Sequence, residues 1–388
     1  MTSAPDFSLA IVNARVWTGN ASQPWASAVA VSGDRIASVG SSAEISKLVS
    51  GSAGVRVVDA KGGLVTPGFI DSHVHFVDGG FRLASVQLRD AKTPAEFVAR
   101  IKAYAAGVAP GEWITGGDWD HQQWGGDLPR RDWIDSVTPN NPVWVSRLDG
   151  HMALANSAAL AAAKVSRATK DVDGGTIVRD AAGEPTGILK DNAQSYVNAA
   201  EPPQSLEMND RALDAAMKYV AARGVTSVHN MGSFADLATF YRARKAGRLI
   251  TRIYAVTPIA QWERLRDTVA VRGRGDEWLR IGGVKGFVDG SLGSHTAAML
   301  TPFSDTPGDS GFFVETPDDL YRWTLAADRS GLQLMVHAIG DRAIRTQLDI
   351  FERVARENGP RDRRFRIEHA QHIHPLDTVR FARLGVIP

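Results

Sequence analysis

The chain has 388 residues, of which 44% are hydrophobic and 22% charged, and its formal net charge is +1. This length and composition predict one large core with a smaller attached domain. So small a net charge leaves no electrostatic footprint for nucleic acid, and no apolar stretch approaches the ~20 residues of a membrane-spanning helix. The absence of cysteine excludes disulfides and thiolate metal ligands. We therefore expect a soluble protein without nucleic-acid or membrane partners, and a cytoplasmic one because the start lacks a secretory signal.

The first part of the chain contains short apolar, β-branched runs, at residues 9–12, 28–31, 35–39 and 55–58. Turn-forming pairs follow some of these runs, at Gly33-Asp34 and Gly62-Gly63. The pattern predicts a small N-terminal domain, residues 1–66, with a β-sandwich-like architecture.

From residue 67 onward, apolar strands alternate with amphipathic helices, which is typical of parallel β/α units. One such helix is predicted after Gly340 from apolar residues at helical spacing, namely Ile344, Leu348, Phe351 and Val354. We predict an α/β fold with a (β/α)8 TIM-type barrel over residues 67–388. Its predicted strands, about seven rather than eight, lie near 64–71, 225–229, 250–256, 281–287, 332–337, 364–369 and, for the beginning of the last, 384–387.

A long insertion, residues 77–222, separates the first and second predicted barrel strands. It is too long for an ordinary connection, and it holds many of the tryptophans and a predicted strand at 143–145. We expect the insertion to cover the site as a lid or wall.

Two histidines, His73 and His75, follow the apolar run that starts at Gly68. Because side chains alternate along a strand, residues two apart present both imidazoles to one side, as a metal-binding pair does. A His-x-His pair also occurs by chance or simply caps a strand. The pair therefore indicates a metal site only in combination with further ligands.

Three more polar residues end later apolar strands: Lys285, His337 and His369. In a (β/α)8 barrel the carboxyl ends of the strands meet at one face, so these residues are expected to converge with the histidine pair. A buried lysine without a partner costs several kcal/mol, so Lys285 needs a chemical explanation. Glu368 is expected to point to the opposite face, as a residue that either faces the helices or forms an ion pair.

Five other residues are candidates for substrate contact: Asp118, His151, His229, Ser291 and His295. The first two lie in the insertion, the third ends a barrel strand, and the last two lie on the glycine-rich loop that follows the lysine. Three of these residues also fit a purely structural role. His151 equally fits a histidine at a helix N-terminus, His229 a histidine at the barrel rim, and Asp118 an ordinary loop residue.

Several sequence blocks occur in a characteristic order, at residues 66–75, 149–157, 284–293, 337–343 and 367–371. Through these blocks the chain resembles the amidohydrolase superfamily, and within it the YtcJ-like, amidohydrolase-3 group that includes N-substituted formamide deformylases. The resemblance covers almost the whole chain.

The resemblance implies a binuclear centre in which His73 and His75 hold one metal. His337 and His369 then hold the second, and Lys285, carboxylated by carbon dioxide, bridges the two. The implied cofactor is a pair of divalent ions, most simply zinc, although nickel, manganese or iron accept the same nitrogen and oxygen ligands. The implied reaction is hydrolysis of a non-peptide C–N bond, in an amide, N-formyl or N-acyl group of a small molecule, by metal-activated hydroxide. A homodimer is a candidate assembly.

In this superfamily an aspartate at the end of strand eight carries a proton to the leaving group. The sequence stops at Pro388, within predicted strand seven, so we expect strand eight and the C-terminal return to be missing, and we assign no catalytic residue. Two alternative functions stay open. One is a mononuclear deaminase of a nucleobase-like ring, disfavoured because Gly340 stands where a His-x-x-Glu glutamate is expected. The other is an inactive metal-binding barrel fragment.

Overall fold

The computed structural model describes residues 6–202 and 205–388, apart from the side chain of Ala84. The described chain divides into two compact units, one that extends to Phe69 and one that comprises Ile70–Pro388. Among the described helices, none is long and apolar enough to cross a membrane.

The first unit consists of two small sheets and one helix. Its elements are β1 (Phe7–Val12), β2 (Arg15–Trp17), β3 (Trp25–Ala26), β4 (Ala28–Ser32), β5 (Arg35–Gly40), α1 (Ser42–Val49), β6 (Arg56–Asp59) and β7 (Leu64–Val65). One sheet has the order β5-β4-β1-β6 and the other has the order β3-β2-β7. Helix α1 starts at a capping box between Ser41 and Glu44 and buries Ile45 and Val49 in the core.

The four predicted strands of this region correspond to β1, β4, β5 and β6. The sequence does not predict β2 and β3, because strands of two or three residues are too short to show an alternating pattern, and it assigns the residues of β7 to the first barrel strand.

The second unit contains the barrel and the insertion. It begins with β8 (Phe69–Val74), α2 (Phe76–Ala84), β9 (Val86–Gln87), α3 (Pro94–Ala105), β10 (Ile114–Trp119), α4 (Arg131–Asp135), β11 (Val143–Arg147), β12 (Met152–Ala155), α5 (Ser157–Ala162), β13 (Gly175–Arg179), β14 (Pro185–Asp191) and α6 (Ser195–Asn198). It continues with α7 (Leu206–Ala221), β15 (Val225–Met231), α8 (Phe234–Lys245), β16 (Arg252–Pro258), α9 (Trp262–Arg272), β17 (Leu279–Phe287), α10 (Pro317–Arg329), β18 (Gln333–Ala338), α11 (Asp341–Asn358), β19 (Arg366–His369) and α12 (Pro375–Leu384).

The barrel sheet is nearly closed and has the order β8-β15-β16-β17-β18-β19. Neighbouring strands from β15 to β19 are parallel. Helices pack around this sheet through a single large apolar cluster, to which α11 contributes Ile344, Leu348, Phe351 and Val354, as predicted. The structure confirms the predicted α/β barrel with separate N-terminal β-structure.

The first and last predicted barrel strands differ from the structure. Strand β8 begins after Pro67, which cannot donate a hydrogen bond to a ladder, and the residues at 64–65 belong to the first unit. At the predicted strand near 384–387, helix α12 continues to Leu384, and Ile387 forms only an isolated parallel bridge with Arg366.

The insertion contains a six-stranded sheet rather than the single strand predicted at 143–145. The sheet has the order β13-β14-β12-β11-β10-β9, with parallel pairs at the β9 end and antiparallel pairs at the other. One face packs against α3 and α4 through Phe97 and Ile134, and the other against α5 and α6 through Leu160 and Val197. The insertion therefore has cores of its own, which give its loops a rigid support.

Candidate active site

Residues of the barrel and the insertion line one cavity of about 830 Å³ in the second unit. All five predicted metal ligands line it, together with two of the candidates for substrate contact: His73, His75, Lys285, His337, His369, His151 and Ser291. These residues are far apart in sequence and meet because the carboxyl ends of parallel strands lie at the same end of a barrel.

Lys285 lies on β17 with only 4% of its surface exposed. Its Nζ atom is 3.5 Å from Nε2 of His73 and 4.4 Å from the centre of the Phe287 ring. Burial disfavours the charged ammonium and lowers the pKa of Lys285 to about 8, although the negative charges of Glu368 and Glu315 oppose the effect. Near neutral pH, a larger fraction of this amine is therefore uncharged than of an exposed lysine.

Three histidines near the lysine, His75, His337 and His369, favour their neutral form. Enclosure by protein, with the positive charge of Lys285 as the next cause, lowers the pKa of His75 to about 3 and that of His369 to about 4. Both side chains nevertheless remain accessible from the cavity. Complete burial, followed by the charge of His151, lowers the pKa of His337 well below its ordinary value. A neutral imidazole is the form that binds a metal ion.

Glu368 contacts one of these histidines directly. Its Oε2 atom accepts a hydrogen bond from Nδ1 of His73, and its Oε1 atom lies 2.8 Å from Nε of Arg366. The predicted ion pair is confirmed, but the prediction that Glu368 faces away from the site is wrong. The φ of +71° at His369 breaks the strand alternation, so that Glu368 and His369 both contact His73.

Backbone carbonyls orient two further histidines. Nε2 of His337 donates to the Gly290 carbonyl at 2.9 Å, and His75 forms a hydrogen bond with the backbone of Met231. Nδ1 of His337 is buried and has no hydrogen-bond partner among the described residues. Metal-binding histidines commonly donate their other ring nitrogen in this way, which fixes the tautomer and leaves a lone pair for the metal.

The donor set fits divalent metal ions, because it consists of imidazole nitrogens around a buried lysine. Ring centres are 5.8 Å apart for His73 and His75, and 4.6 Å apart for His337 and His369. As placed, no three His, Asp or Glu side chains within the described ranges are arranged to hold a single ion.

The insertion adds a histidine–carboxylate pair to the cavity wall. Nδ1 of His151 donates to Oδ1 of Asp191 at 2.7 Å, and the His151 ring lies 5.0 Å from that of His337. Asp191 has φ +46° and ψ −124°, a strained backbone conformation for a residue other than glycine. Burial alone would lower the pKa of His151, but the hydrogen bond and charge of Asp191 outweigh burial and raise it. His151 therefore retains a proton more readily than His75, His337 and His369 do.

Arg147 joins the insertion to the loop after β17. Its buried guanidinium pairs with Asp120 at 3.0 Å and with Asp149, and Asp149 in turn accepts a hydrogen bond from Oγ of Ser291. A Cβ atom on Gly293 would lie only 2.5 Å from Nη2 of Arg147, so glycine is required there. Ser291 lines the cavity as predicted, but its hydroxyl proton is already engaged.

The other candidates for substrate contact lie outside the cavity lining. Asp118 pairs with Arg82, and Arg82 is the member of this pair that lines the cavity. Nδ1 of His229 is 2.9 Å from an arginine of β19. His295 pairs with Asp305 at 3.0 Å.

Asp289 is a buried carboxyl to which the sequence assigns no role. Its oxygens accept hydrogen bonds from the backbone amides of Ala298, Ile339 and Gly340, and thereby tie together the loops after β17 and β18. Burial raises the pKa of Asp289 to about 6, although these amides oppose the effect. The Asp289-Gly290 pair is visible in the sequence, but an aspartate before glycine ordinarily indicates only a turn.

The fold and the cavity together define a barrel hydrolase of the metal-dependent class, with its polar residues at the carboxyl ends of the strands. The sequence profile of the Amidohydrolase family matches residues 56–388, and the chain belongs to this family.

Known relatives extend over nearly the whole chain. It is 42% identical to Protein LONG AFTER FAR-RED 3 of Arabidopsis thaliana, over 98% of this chain and 67% of the relative. It is 31% identical to N-substituted formamide deformylase of Arthrobacter pascens, over 97% of this chain and 71% of the relative. The chain thus spans about two thirds of the length of these proteins.

A solved structure agrees with the sequence relatives. An uncharacterized metal-dependent hydrolase from Pyrococcus horikoshii OT3 superposes with a TM-score of 0.74 at 30% identity, over 97% of this chain and 73% of the other. The match to the family and to this structure confirms the resemblance inferred from the sequence blocks.

Proposed function

We propose that the chain forms the catalytic barrel of a hydrolase that cleaves a non-peptide C–N bond, in an amide, N-formyl or N-acyl group of a small molecule. The observation that carries the proposal is the buried Lys285 among histidines that protein acceptors orient. A structural lysine needs no such surroundings, whereas a metal centre does.

The proposed centre takes two divalent ions, most simply zinc. His73 and His75 hold one ion, and His337 and His369 hold the other. In the proposed modification, the neutral amine of Lys285 attacks carbon dioxide, an N–C bond forms, and the nitrogen releases a proton, which leaves an anionic carbamate. When bound, the metal pair supplies hydroxide near neutral pH and polarises a carbonyl.

His151 is proposed to act on the substrate from the part of the cavity wall that the insertion forms. Asp191 holds its Nδ1 proton, so that Nε2 is the nitrogen left to face a ligand. A histidine that readily carries a proton can hydrogen-bond a carbonyl oxygen or pass a proton to a departing amine.

The substrate class draws on two supports. The cavity of about 830 Å³ matches the size of small-molecule sites. One relative, at 31% identity, is named N-substituted formamide deformylase, which makes N-substituted formamides the first compounds to test.

The test combines metal analysis with an activity screen. The purified chain is loaded with zinc in bicarbonate, freed of loose ions, and assayed for metal and for release of amine from N-substituted formamides and N-acyl amines. About two ions per chain with amine release supports the proposal. A chain that binds no metal and releases no amine contradicts it, and a single ion that is independent of bicarbonate favours a mononuclear site.

A further inference from the structure

A carboxylate of β19, Glu368, contacts His73 of β8 and pairs with an arginine of its own strand. Glu368 is 5% exposed, and its two oxygens lie 2.8 and 2.9 Å from Nε and Nη2 of Arg366. The same guanidinium donates to the Ser72 carbonyl at 2.9 Å and lies 2.9 Å from Nδ1 of His229. Strands β8 and β19 are the two edges of the barrel sheet, so this network connects them. His73 is tied to it through Nδ1.

The chemistry of the contact decides which ring nitrogen of His73 is free. A carboxylate offers only acceptors, so Nδ1 of His73 carries the proton that Glu368 accepts, and in the neutral ring Nε2 is then the nitrogen with the lone pair. Nε2 is the atom that lies 3.5 Å from Nζ of Lys285. The guanidinium of Arg366 keeps the carboxylate in place, because its Nη2 donates a hydrogen bond to Oε2 of Glu368 and its Nε forms an ion pair with Oε1.

We propose that Glu368, held by Arg366, is a positioning residue that fixes the tautomer and ring orientation of His73 and presents Nε2 to the metal centre. The inference rests on the proposed function, since it concerns the metal site assigned there. It extends that function to a buried ion pair that neither binds the metal nor touches the substrate. Loss of such a partner weakens metal binding by roughly 10–100-fold.

The first test measures zinc affinity in the full chain with buffered free zinc, for the wild type and for Glu368→Ala and Glu368→Gln. We expect Glu368→Ala to weaken binding of one ion by roughly 10–100-fold and the isosteric Glu368→Gln to weaken it less. Asp377→Asn is the matched control, because Asp377 is also buried and paired with arginines, Arg345 and Arg380, on α11 and α12. Equal zinc affinity in the wild type and in both Glu368 variants overturns the proposal.

The second test needs no bound metal. Nitrogen-15 NMR of histidine-labelled, metal-free chain reports which ring nitrogen of His73 carries the proton, with His73→Gln used to assign the signal. We expect the Nδ1–H form in the wild type and a mixture of tautomers in Glu368→Gln or, if it folds, Glu368→Ala. An unchanged tautomer overturns the proposal. If the wild type binds no metal, the proposed function fails, and this measurement still decides the role of Glu368.

Discussion

The Nζ atom of Lys285 lies 3.5 Å from Nε2 of His73, although the two residues are 212 positions apart in the chain. A lysine in this position competes for the same lone pair that would bind a metal. The proposed carboxylation removes this competition, because it converts a cation into an anionic oxygen ligand. The relationship therefore makes Lys285 the most informative residue to change.

Substitution of Lys285 by alanine is expected to reduce the metal content of the chain from about two ions to one or none. The reason is the loss of the donor shared by both ions, while removal of a desolvated cation leaves folding intact. Metal analysis after dialysis, with the thermal midpoint recorded in parallel, checks this. Lys218→Ala, an exposed change on α7, is the control. Full metal content in Lys285→Ala would exclude the bridging role.

His151→Asn is expected to lower turnover of an amide substrate by roughly 10²-fold or more while metal content stays the same. The substitution removes the ring that Asp191 orients toward the cavity, but it leaves the four predicted histidine ligands. Initial rates and metal analysis of the same preparation separate the two effects. His372→Asn is the exposed control. A parallel loss of metal would show that His151 is a ligand instead.

Gly293→Ala is expected to destabilise the chain by about 1–3 kcal/mol, the usual cost of an overpacked site. The added Cβ would lie 2.5 Å from Nη2 of Arg147, whose guanidinium cannot retreat because Asp120 and Asp149 hold it. Urea unfolding monitored by fluorescence gives the change. Gly51→Ala is the comparison, since a Cβ there meets no atom within 4 Å. Similar stability of the two variants would mean that the Arg147 contact is soft.

His121 is expected to make stability fall as the pH drops from about 6.5 to about 4. Burial, followed by the positive charge of Arg147, lowers its pKa from 6.5 to about 4 in the folded chain. Between these values the unfolded state binds more protons than the folded state, so acid favours unfolding, by at most about 3 kcal/mol for this residue.

The His121 contribution is measured as the difference between the wild type and His121→Gln in urea unfolding at pH 7 and at pH 4.5. The variant should lose less stability over this range, and His372→Gln should behave like the wild type. A steeper decline in His121→Gln would show that the protonated ring is stabilised in the folded state.

The sequence predicted the barrel well because its signals are local and repeated. Apolar strands of five or more residues and helices such as α11 show their periodicity in one stretch of chain. The sheet of the insertion was harder to predict, because the order of its strands depends on pairing between segments that lie apart in the sequence. A strand at 143–145 was visible, whereas its position within a six-stranded sheet was not.

The same distinction holds for the cavity. Residue type and strand-end position were enough to select His73, His75, Lys285, His337 and His369, because parallel strands bring such positions together. Three of the candidates for substrate contact do not line the cavity. His295 and Asp118 have the right chemistry, but their φ angles of +56° accompany side chains that pair with Asp305 and Arg82 instead.

The sequence by itself determined the fold class, the family blocks and the identities of the strand-end residues, because period, length and residue chemistry are properties of short segments. Only the tertiary structure shows which acceptors contact the ring nitrogens, since these acceptors lie far away in the chain. Glu368 of β19 accepts a hydrogen bond from Nδ1 of His73, and the Gly290 carbonyl accepts one from Nε2 of His337. Alternation along a strand predicted Glu368 on the wrong side, because a left-handed residue at His369 ends that alternation.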